Sequence, residues 1–222
     1  RTDPAKAGFS AAGLQRIDRF YADEIARDRI PGAVVAIARE GKLVYYKTHG
    51  YQDKAAGVAM KSDAIFNLAS MTKVLSVVTA LTLYEEGKLP LKSTLASYYS
   101  QFSSMQVGVI DASGALKTEP AKQPIFVQDL MRHTAGLTYG NRGYAAYENN
   151  GLSSSDLVAE RMSGEAFLQK LGALPLHFQP GSAWDYGFGF DVLGLAIEAV
   201  SGQSLADFLQ ERLFGPLAMV DS

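Results

Sequence analysis

The sharpest local feature of the sequence is a serine followed three residues later by a lysine, in the run Ser70-Met71-Thr72-Lys73. On a helix, a three-residue step places two side chains on one face, so the hydroxyl and the amine would lie within reach of each other. An amine that accepts the hydroxyl proton makes a serine nucleophilic. The pair therefore indicates nucleophilic catalysis, although an N-cap serine followed by an exposed lysine is the common structural alternative.

The residues after the lysine favour the catalytic interpretation. A lysine amine is protonated at neutral pH unless its surroundings favour the uncharged form. The run from Val74 to Tyr84 carries no charge, so burial there would favour a neutral Lys73. A tyrosine far along the chain, Tyr186 just before a predicted helix, could share the proton, because the charge of Lys73 would stabilise its phenolate.

The elements that must position these side chains follow from the pattern of apolar residues. Steps of three and four residues predict an amphipathic helix over 10–29. Two β-branched and aromatic runs, 33–38 and 42–49, flank a short glycine turn and predict a hairpin. The apolar run predicts a helix over 70–86, at the centre of the core.

The remaining segments are less regular. We predict loop with short helical turns over 91–119, a brief helix over 127–133 and a long surface loop over 139–155. Two helices, 190–200 and 204–213, follow near the end. No linker divides the chain, so we predict one region, 1–222. It has an N-terminal helix and hairpin over 1–60 and a mostly helical part over 61–222.

Composition excludes several classes of function. The chain has 222 residues, a net charge of -2 and no cysteine, so we expect no nucleic-acid partner, no thiolate catalysis and no Cys-ligated zinc. The longest apolar run has eleven residues, whereas a membrane-spanning helix needs about 20, so no transmembrane segment is predicted. The chain begins with Arg1, as a periplasmic or secreted protein does after signal removal, but a cytoplasmic location fits equally.

Several motifs in order carry a family resemblance. The sequence resembles the serine hydrolases of the class C β-lactamase and penicillin-binding-protein superfamily, and within it the family VIII carboxylesterases. The matching segments are Ser70 to Lys73, Leu130 to Leu137, Pro180 to Tyr186, Asp191 to Gly194 and Leu213 to Met219.

The resemblance implies an α+β fold of the β-lactamase/transpeptidase-like type, with an antiparallel sheet flanked by helices and a mostly helical region. It implies that Ser70 is the acylated nucleophile, that Lys73 activates it and that Tyr186 is the general base. The backbone N–H of Ser70 would donate to the oxyanion. No metal and no organic cofactor is implied. His133 is then expected to brace a loop by hydrogen bonds rather than act as a base.

One departure from the family pattern concerns the substrate. The tyrosine motif usually reads Tyr-x-Asn, but here Phe188 stands at the third position. A phenyl ring cannot replace an amide as donor and acceptor, which favours a small ester over a peptide or β-lactam. We predict that Trp184, Phe188 and Tyr139 line the substrate pocket, although a plain surface loop is an equal alternative for the tyrosine.

A second departure concerns completeness. Relatives continue into further strands and a third motif, a Lys-Thr-Gly box or its equivalents, which nothing up to Ser222 resembles. We therefore expect this chain to be the N-terminal part of a larger hydrolase, completed by a C-terminal segment or a second chain. The predicted function is a carboxylesterase. A β-lactamase or D-amino-acid peptidase and a non-catalytic binding module remain the alternatives.

Overall fold

The computed structural model of the protein describes residues 1–142, 144–153 and 162–222. The chain folds into two compact units, Arg1–Asn67 and Leu68–Ser222. The division lies later than the predicted boundary after residue 60, because a short strand at Val58–Ala59 and a hydrogen bond from the Tyr46 hydroxyl to the Ser62 carbonyl hold these residues in the first unit.

The first unit is a helix beside an antiparallel sheet with strand order β1-β2-β3. The predicted helix and hairpin are confirmed, and the second strand is longer than predicted. The hairpin turns at Glu40 and Gly41, whose φ angles of 50° and 69° belong to the left-handed region that two-residue hairpin loops require. The elements are α1 Ala11–Ala26, β1 Gly32–Arg39, β2 Lys42–Asp53 and β3 Val58–Ala59.

A polar cluster ties α1 to β2. The Asp18 carboxylate on α1 accepts hydrogen bonds from the Tyr45 hydroxyl at 2.5 Å and from the Lys47 amine at 2.8 Å. The Tyr21 ring of the same helix stacks on His49, with ring centroids 5.0 Å apart. Alternate residues of one strand thus face the helix, as the two-residue period of a strand requires.

The second unit is mostly helical, as predicted. A 3₁₀ turn at Ala69–Met71 leads directly into its first helix, and a π turn at Gln210–Phe214 continues its last one. The helices are α2 Thr72–Glu85, α3 Val127–Met131, α4 Ala145–Glu148, α5 Gly164–Gly172, α6 Gly189–Ser201 and α7 Leu205–Leu209.

Helix α2 was predicted to be central to the core, and this is wrong for one of its faces. The buried face consists of Ser76, Thr79, Ala80 and Leu83, and α6 packs against both α2 and α3. The opposite face is apolar but exposed, with Val74 65% accessible. Its members are Met71, Val74, Val78, Leu81 and Tyr84.

The predicted loop over 91–119 contains a second hairpin. β4 Gln106–Ile110 pairs with β5 Leu116–Pro120, and Asp111 closes the turn by accepting the backbone N–H groups of Ser113 and Ala115. Val107 is the one residue of these strands that is buried. The apolar alternation that identifies a half-buried strand is therefore almost absent from the sequence.

The predicted surface loop over 139–155 is also corrected. Tyr144 is 7% exposed and Tyr147 is fully buried, and the Tyr144 hydroxyl donates to the Leu176 carbonyl at 3.2 Å. These tyrosines fill the core and do not lie in the surface loop that the sequence predicts. Residues 143, 154 and 155 of this segment lie outside the described residues.

No single helix in the described ranges is long and apolar enough to cross a membrane. Helix α6 and the segment Leu205–Phe214 meet the length and composition requirement only as a pair, and they are bent by 79° at their junction.

Candidate active site

Ser70 lies where the backbone bends into α2. Ala69 before it has a φ of 44°, a left-handed conformation that is uncommon for a residue with a Cβ. The 3₁₀ turn that follows passes into the α-helix at Thr72. This geometry leaves the Ser70 side chain exposed at the start of the helix, with Lys73 one turn further along.

The structure brings Ser70, Lys73 and Tyr186 together. Ser70 Oγ lies 2.5 Å from the Tyr186 hydroxyl, and Lys73 Nζ lies 3.3 Å from Ser70 Oγ. The Lys73 amine is also 4.8 Å from the centroid of the Tyr186 ring and 5.7 Å from that of Phe190. Lys73 is half-buried rather than fully buried. The hydroxyl of Ser70 thus has an amine and a phenol within hydrogen-bond distance at once.

The surroundings of Tyr186 favour its phenolate. Burial works to raise the pKa of Tyr186, and so does the nearby Asp191 carboxylate. Hydrogen bonds from Lys73 and Ser70, together with the positive charge of Lys73, outweigh both and hold the pKa below its ordinary value of 10.0. The tyrosine is therefore easier to deprotonate than one in water.

The loop that carries Tyr186 is held by a second segment, residues 133–138. Backbone N–H groups on both sides of the tyrosine donate to this segment: Asp185 to the His133 carbonyl at 3.0 Å and Phe188 to the Leu137 carbonyl at 3.1 Å. The Gly187 N–H points to Nδ1 of the His133 ring at 3.4 Å. The expectation that His133 braces a loop is confirmed.

Asp185 fixes the same loop through its side chain. Its carboxylate accepts hydrogen bonds from Arg142 Nε at 2.9 Å and from the Thr138 hydroxyl, and His177 Nδ1 lies 3.4 Å away. Burial works to raise the pKa of Asp185, but the Thr138 hydrogen bond and the Arg142 charge outweigh it and keep the carboxylate ionised. Sequence reasoning missed this anchor, and its only available signal was that the residue directly precedes Tyr186.

Gly187 is required by close packing rather than by backbone conformation. A Cβ on Gly187 would lie 2.0 Å from the Leu137 carbonyl oxygen, which is backbone and cannot rotate away. We expect Gly187→Ala to lower the free energy of unfolding by about 1–3 kcal/mol, as overpacking in a fixed structure does, and to displace Tyr186. Chemical denaturation and the labelling rate of Ser70 measure the two effects.

Gly194→Ala is the matched control for this substitution. Gly194 lies within α6, and its added Cβ would meet only Leu205 Cδ2, at 3.0 Å, a side-chain atom that can shift. Alanine also has the higher helix propensity, so little or no loss of stability is expected. Equal destabilisation by the two variants would contradict the steric role of Gly187.

The three residues predicted to line a pocket lie in different surroundings. Trp184 is 62% exposed and touches the His133 ring edge-on at 5.9 Å. Tyr139 is half-buried, 5.6 Å from the Tyr186 ring. Phe188 is fully buried between aromatic rings that include Tyr139 and Phe167, so the predicted pocket role of Phe188 is wrong and it is a core residue.

Within the described residues, no group of His, Asp and Glu side chains has the arrangement of a metal site. The polar atoms at the site are instead a hydroxyl, an amine and a phenol.

The protein has the β-lactamase/transpeptidase-like class of fold. On its α+β scaffold, a serine, a lysine one helical turn further along and a tyrosine beside both form the site. Residues 17–222 match the family model described as Beta-lactamase, and the chain belongs to the beta-lactamase family.

Relatives in this family include esterases. The chain is 32% identical to Esterase EstB of Burkholderia gladioli, over 99% of this chain and 54% of the relative, and 32% identical to the lovastatin esterase of Penicillium rubens, over 93% and 52%. The solved structure of EstCE1, a hydrolase with promiscuous acyltransferase activity, matches with a TM-score of 0.77 and 29% identity, over 92% of this chain and 51% of that one. The chain thus spans about half the length of these relatives.

Proposed function

We propose that this chain belongs to a serine hydrolase that cleaves small carboxylic esters through an acyl-enzyme on Ser70. The observation that carries the proposal is the position of Ser70 Oγ, 2.5 Å from the Tyr186 hydroxyl and 3.3 Å from the Lys73 amine. A nucleophile within hydrogen-bond reach of its base is the geometric requirement for acyl transfer.

The first half of the reaction acylates the serine. The Tyr186 phenolate, stabilised by the Lys73 charge, accepts the Ser70 proton while Oγ forms a bond to the ester carbonyl carbon. The negative charge that develops on the carbonyl oxygen is stabilised by the backbone N–H of Ser70, one donor of an oxyanion hole. The tetrahedral intermediate collapses, the bond to the alcohol oxygen breaks, and the Tyr186 phenol returns the proton to the leaving alcohol.

The second half releases the acid. Tyr186 accepts a proton from water, the resulting hydroxide attacks the acyl carbon, and the bond between that carbon and Ser70 Oγ breaks. Oγ takes the proton back from Tyr186, which restores the starting state of both residues. In this scheme Lys73 acts on the tyrosine as a positive charge, in place of the neutral amine expected from the sequence, because Lys73 is only half-buried.

Two observations support an ester rather than a peptide or a β-lactam. The two curated relatives named above are esterases. The residue two positions after Tyr186 is a buried phenylalanine, Phe188, so it offers neither donor nor acceptor to an acylamino group of a substrate. Trp184, exposed near the site, and Tyr139 are the aromatic side chains that we propose for the acyl or alcohol pocket.

The proposal includes a further polypeptide segment, C-terminal in the same chain or in a second chain. In the described residues of the first unit, β1 pairs only with β2 and forms an edge of the sheet. An edge strand has unpaired backbone donors and acceptors that another strand can use. The matched relatives are about twice as long as this chain. We propose that a segment equivalent to the remaining part of those relatives supplies the strand that pairs with β1 and the second oxyanion donor.

The proposal is tested by intact mass after exposure to a serine-reactive phosphonate ester, followed by rate measurements on two substrates. We expect one adduct per chain, located on Ser70, and a higher kcat/KM for a short-chain aryl ester than for a chromogenic cephalosporin. A higher kcat/KM for the cephalosporin would contradict the proposed esterase activity and support a β-lactamase activity instead. Absence of any adduct on the full protein would favour the non-catalytic binding module.

A further inference from the structure

We infer that His133, as a neutral imidazole, is the positioning residue that sets the location of Tyr186, and that its protonation releases the tyrosine loop and switches off acylation. The part of this inference that concerns acylation rests on the proposed function. The part that concerns the loop rests on hydrogen bonds and packing alone.

One residue holds the peptide groups on both sides of Tyr186. The His133 carbonyl accepts the Asp185 N–H at 3.0 Å, and its ring Nδ1 accepts the Gly187 N–H at 3.4 Å. A backbone N–H on either side of the tyrosine therefore ends on the same histidine. A shift of His133 would move the phenol away from Ser70 Oγ, which lies 2.5 Å from the phenol oxygen.

The His133 ring is itself fixed by packing. The ring centroids of Tyr186 and Phe190 lie 4.6 Å and 5.0 Å away, and Trp184 touches it edge-on at 5.9 Å. The residue is 9% exposed, and its φ of 56° is in the left-handed region. Only a small fraction of non-glycine residues adopt that conformation, so the surrounding contacts determine where this ring lies.

The hydrogen bond to Gly187 specifies the form of the imidazole. A backbone N–H can only donate, so Nδ1 must be without a proton and the ring proton must be on Nε2. Protonation of Nδ1 would place two donors face to face and remove the contact. Protonation therefore changes Nδ1 of His133 from a hydrogen-bond acceptor to a donor, and this change is the switch.

Burial and the charge of Lys73 favour the neutral form of the ring. Burial, and then the charge of Lys73 from α2, lower the pKa of His133 below its ordinary value of 6.5, while the Asp185 carboxylate opposes them. Helix α6 contributes two residues near the ring. Phe190 contacts the ring, and the Asp191 carboxylate interacts electrostatically with Lys73 and Tyr186. On the histidine's own segment, Arg132 pairs with Asp129 at 3.1 Å.

The first test compares His133→Asn with His133→Ala in the second-order rate of phosphonate labelling between pH 5 and pH 9. Asparagine tolerates the left-handed backbone and places an oxygen acceptor close to the position of Nδ1, and it does not titrate. We expect His133→Asn to retain most of the rate at pH 8 and to lose the separate inflection below pH 6.5 that protonation of His133 adds in wild type, while it keeps the rise with pH that deprotonation of Tyr186 produces. His133→Ala, without an acceptor, should be on the order of 10²-fold slower than wild type at pH 8 and should lack the inflection below pH 6.5.

His49→Asn is the matched control, because it makes the same substitution at a histidine of the first unit, where His49 stacks on Tyr21. It should leave the pH profile unchanged. The inference is overturned if His133→Ala is labelled as fast as wild type at pH 8, or if His133→Asn keeps the wild-type inflection below pH 6.5.

The second test needs no activity, and a variant serves only to assign the signal. Nitrogen-15 NMR of the histidine rings reports the tautomer and the pKa directly, and the chain has three histidines. We expect one ring with its proton on Nε2 and a pKa below 6.5, and this signal should be absent from His133→Asn. A proton on Nδ1 of His133, or a pKa above 6.5, would overturn the inference.

The two tests separate this inference from the proposed function. If wild type is not labelled at all, the proposed function fails, and the NMR result still decides whether His133 holds the loop as an acceptor. If wild type is labelled but the ring has the wrong tautomer, the proposed function stands and the inference fails.

Discussion

Ser70→Ala is expected to abolish phosphonate labelling and to lower kcat/KM for an aryl ester by on the order of 10⁶-fold, as loss of a serine nucleophile does elsewhere. The side chain is exposed, and its hydrogen-bond partners are the Tyr186 hydroxyl and the Lys73 amine. The free energy of unfolding should therefore change by no more than about 0.5 kcal/mol. Intact mass, steady-state kinetics and chemical denaturation measure the three effects.

Ser104→Ala provides the control, because Ser104 is also exposed and lies outside the site. It should be labelled like wild type. Retained labelling of Ser70→Ala at the wild-type rate would remove Ser70 from the mechanism, whatever the stability of the variant.

Tyr186→Phe is expected to lower kcat/KM by about 10²- to 10⁴-fold, the usual effect of losing a general base. The variant keeps the ring, and with it the contacts to His133 at 4.6 Å and to Tyr139 at 5.6 Å, so its stability should be close to that of wild type. It loses the hydroxyl that lies 2.5 Å from Ser70 Oγ.

The pH profile distinguishes a base from a merely structural tyrosine. The deprotonated phenol is the active form, so kcat/KM should rise with pH through an apparent pKa that belongs to the coupled Ser-Lys-Tyr group and lies below the ordinary tyrosine value of 10.0. The Phe variant should lack this rise. Tyr139→Phe, the same substitution on the neighbouring ring, should keep it. If Tyr186→Phe keeps the wild-type rise, the base is another group.

Local spacing is sufficient to predict one half of the site. Ser70 and Lys73 are one helical turn apart, and the helix that joins them is evident from its apolar run, so their proximity follows from the sequence. Tyr186 is 116 residues from Ser70 in the sequence. No periodicity reports a contact over that distance, so the chemistry of a tyrosine beside a lysine could only suggest the pairing, and the family resemblance then implied it.

The errors arise where tertiary packing overrides local pattern. Phe188 follows Tyr186 by two residues, and its position in the motif suggested a pocket, but the chain turns there and places its ring in the core. Tyr144 and Tyr147 occur in a stretch rich in Gly and Asn, which is typical of an exposed loop. Their burial depends on residues that lie far away in the sequence, such as Leu176, whose carbonyl accepts a hydrogen bond from the Tyr144 hydroxyl.

The left-handed backbone at Ala69 and at His133 sets limits on thermal adaptation. Their φ angles are 44° and 56°, and this conformation destabilises a residue with a Cβ by roughly 1–2 kcal/mol relative to glycine. Selection for a higher melting temperature alone would favour glycine at both positions. Glycine at 133 would remove the acceptor for the Gly187 N–H, and glycine at 69 would loosen the peptide before the nucleophile. Heat resistance and the active-site geometry of the proposed hydrolase are therefore opposed at the same two residues.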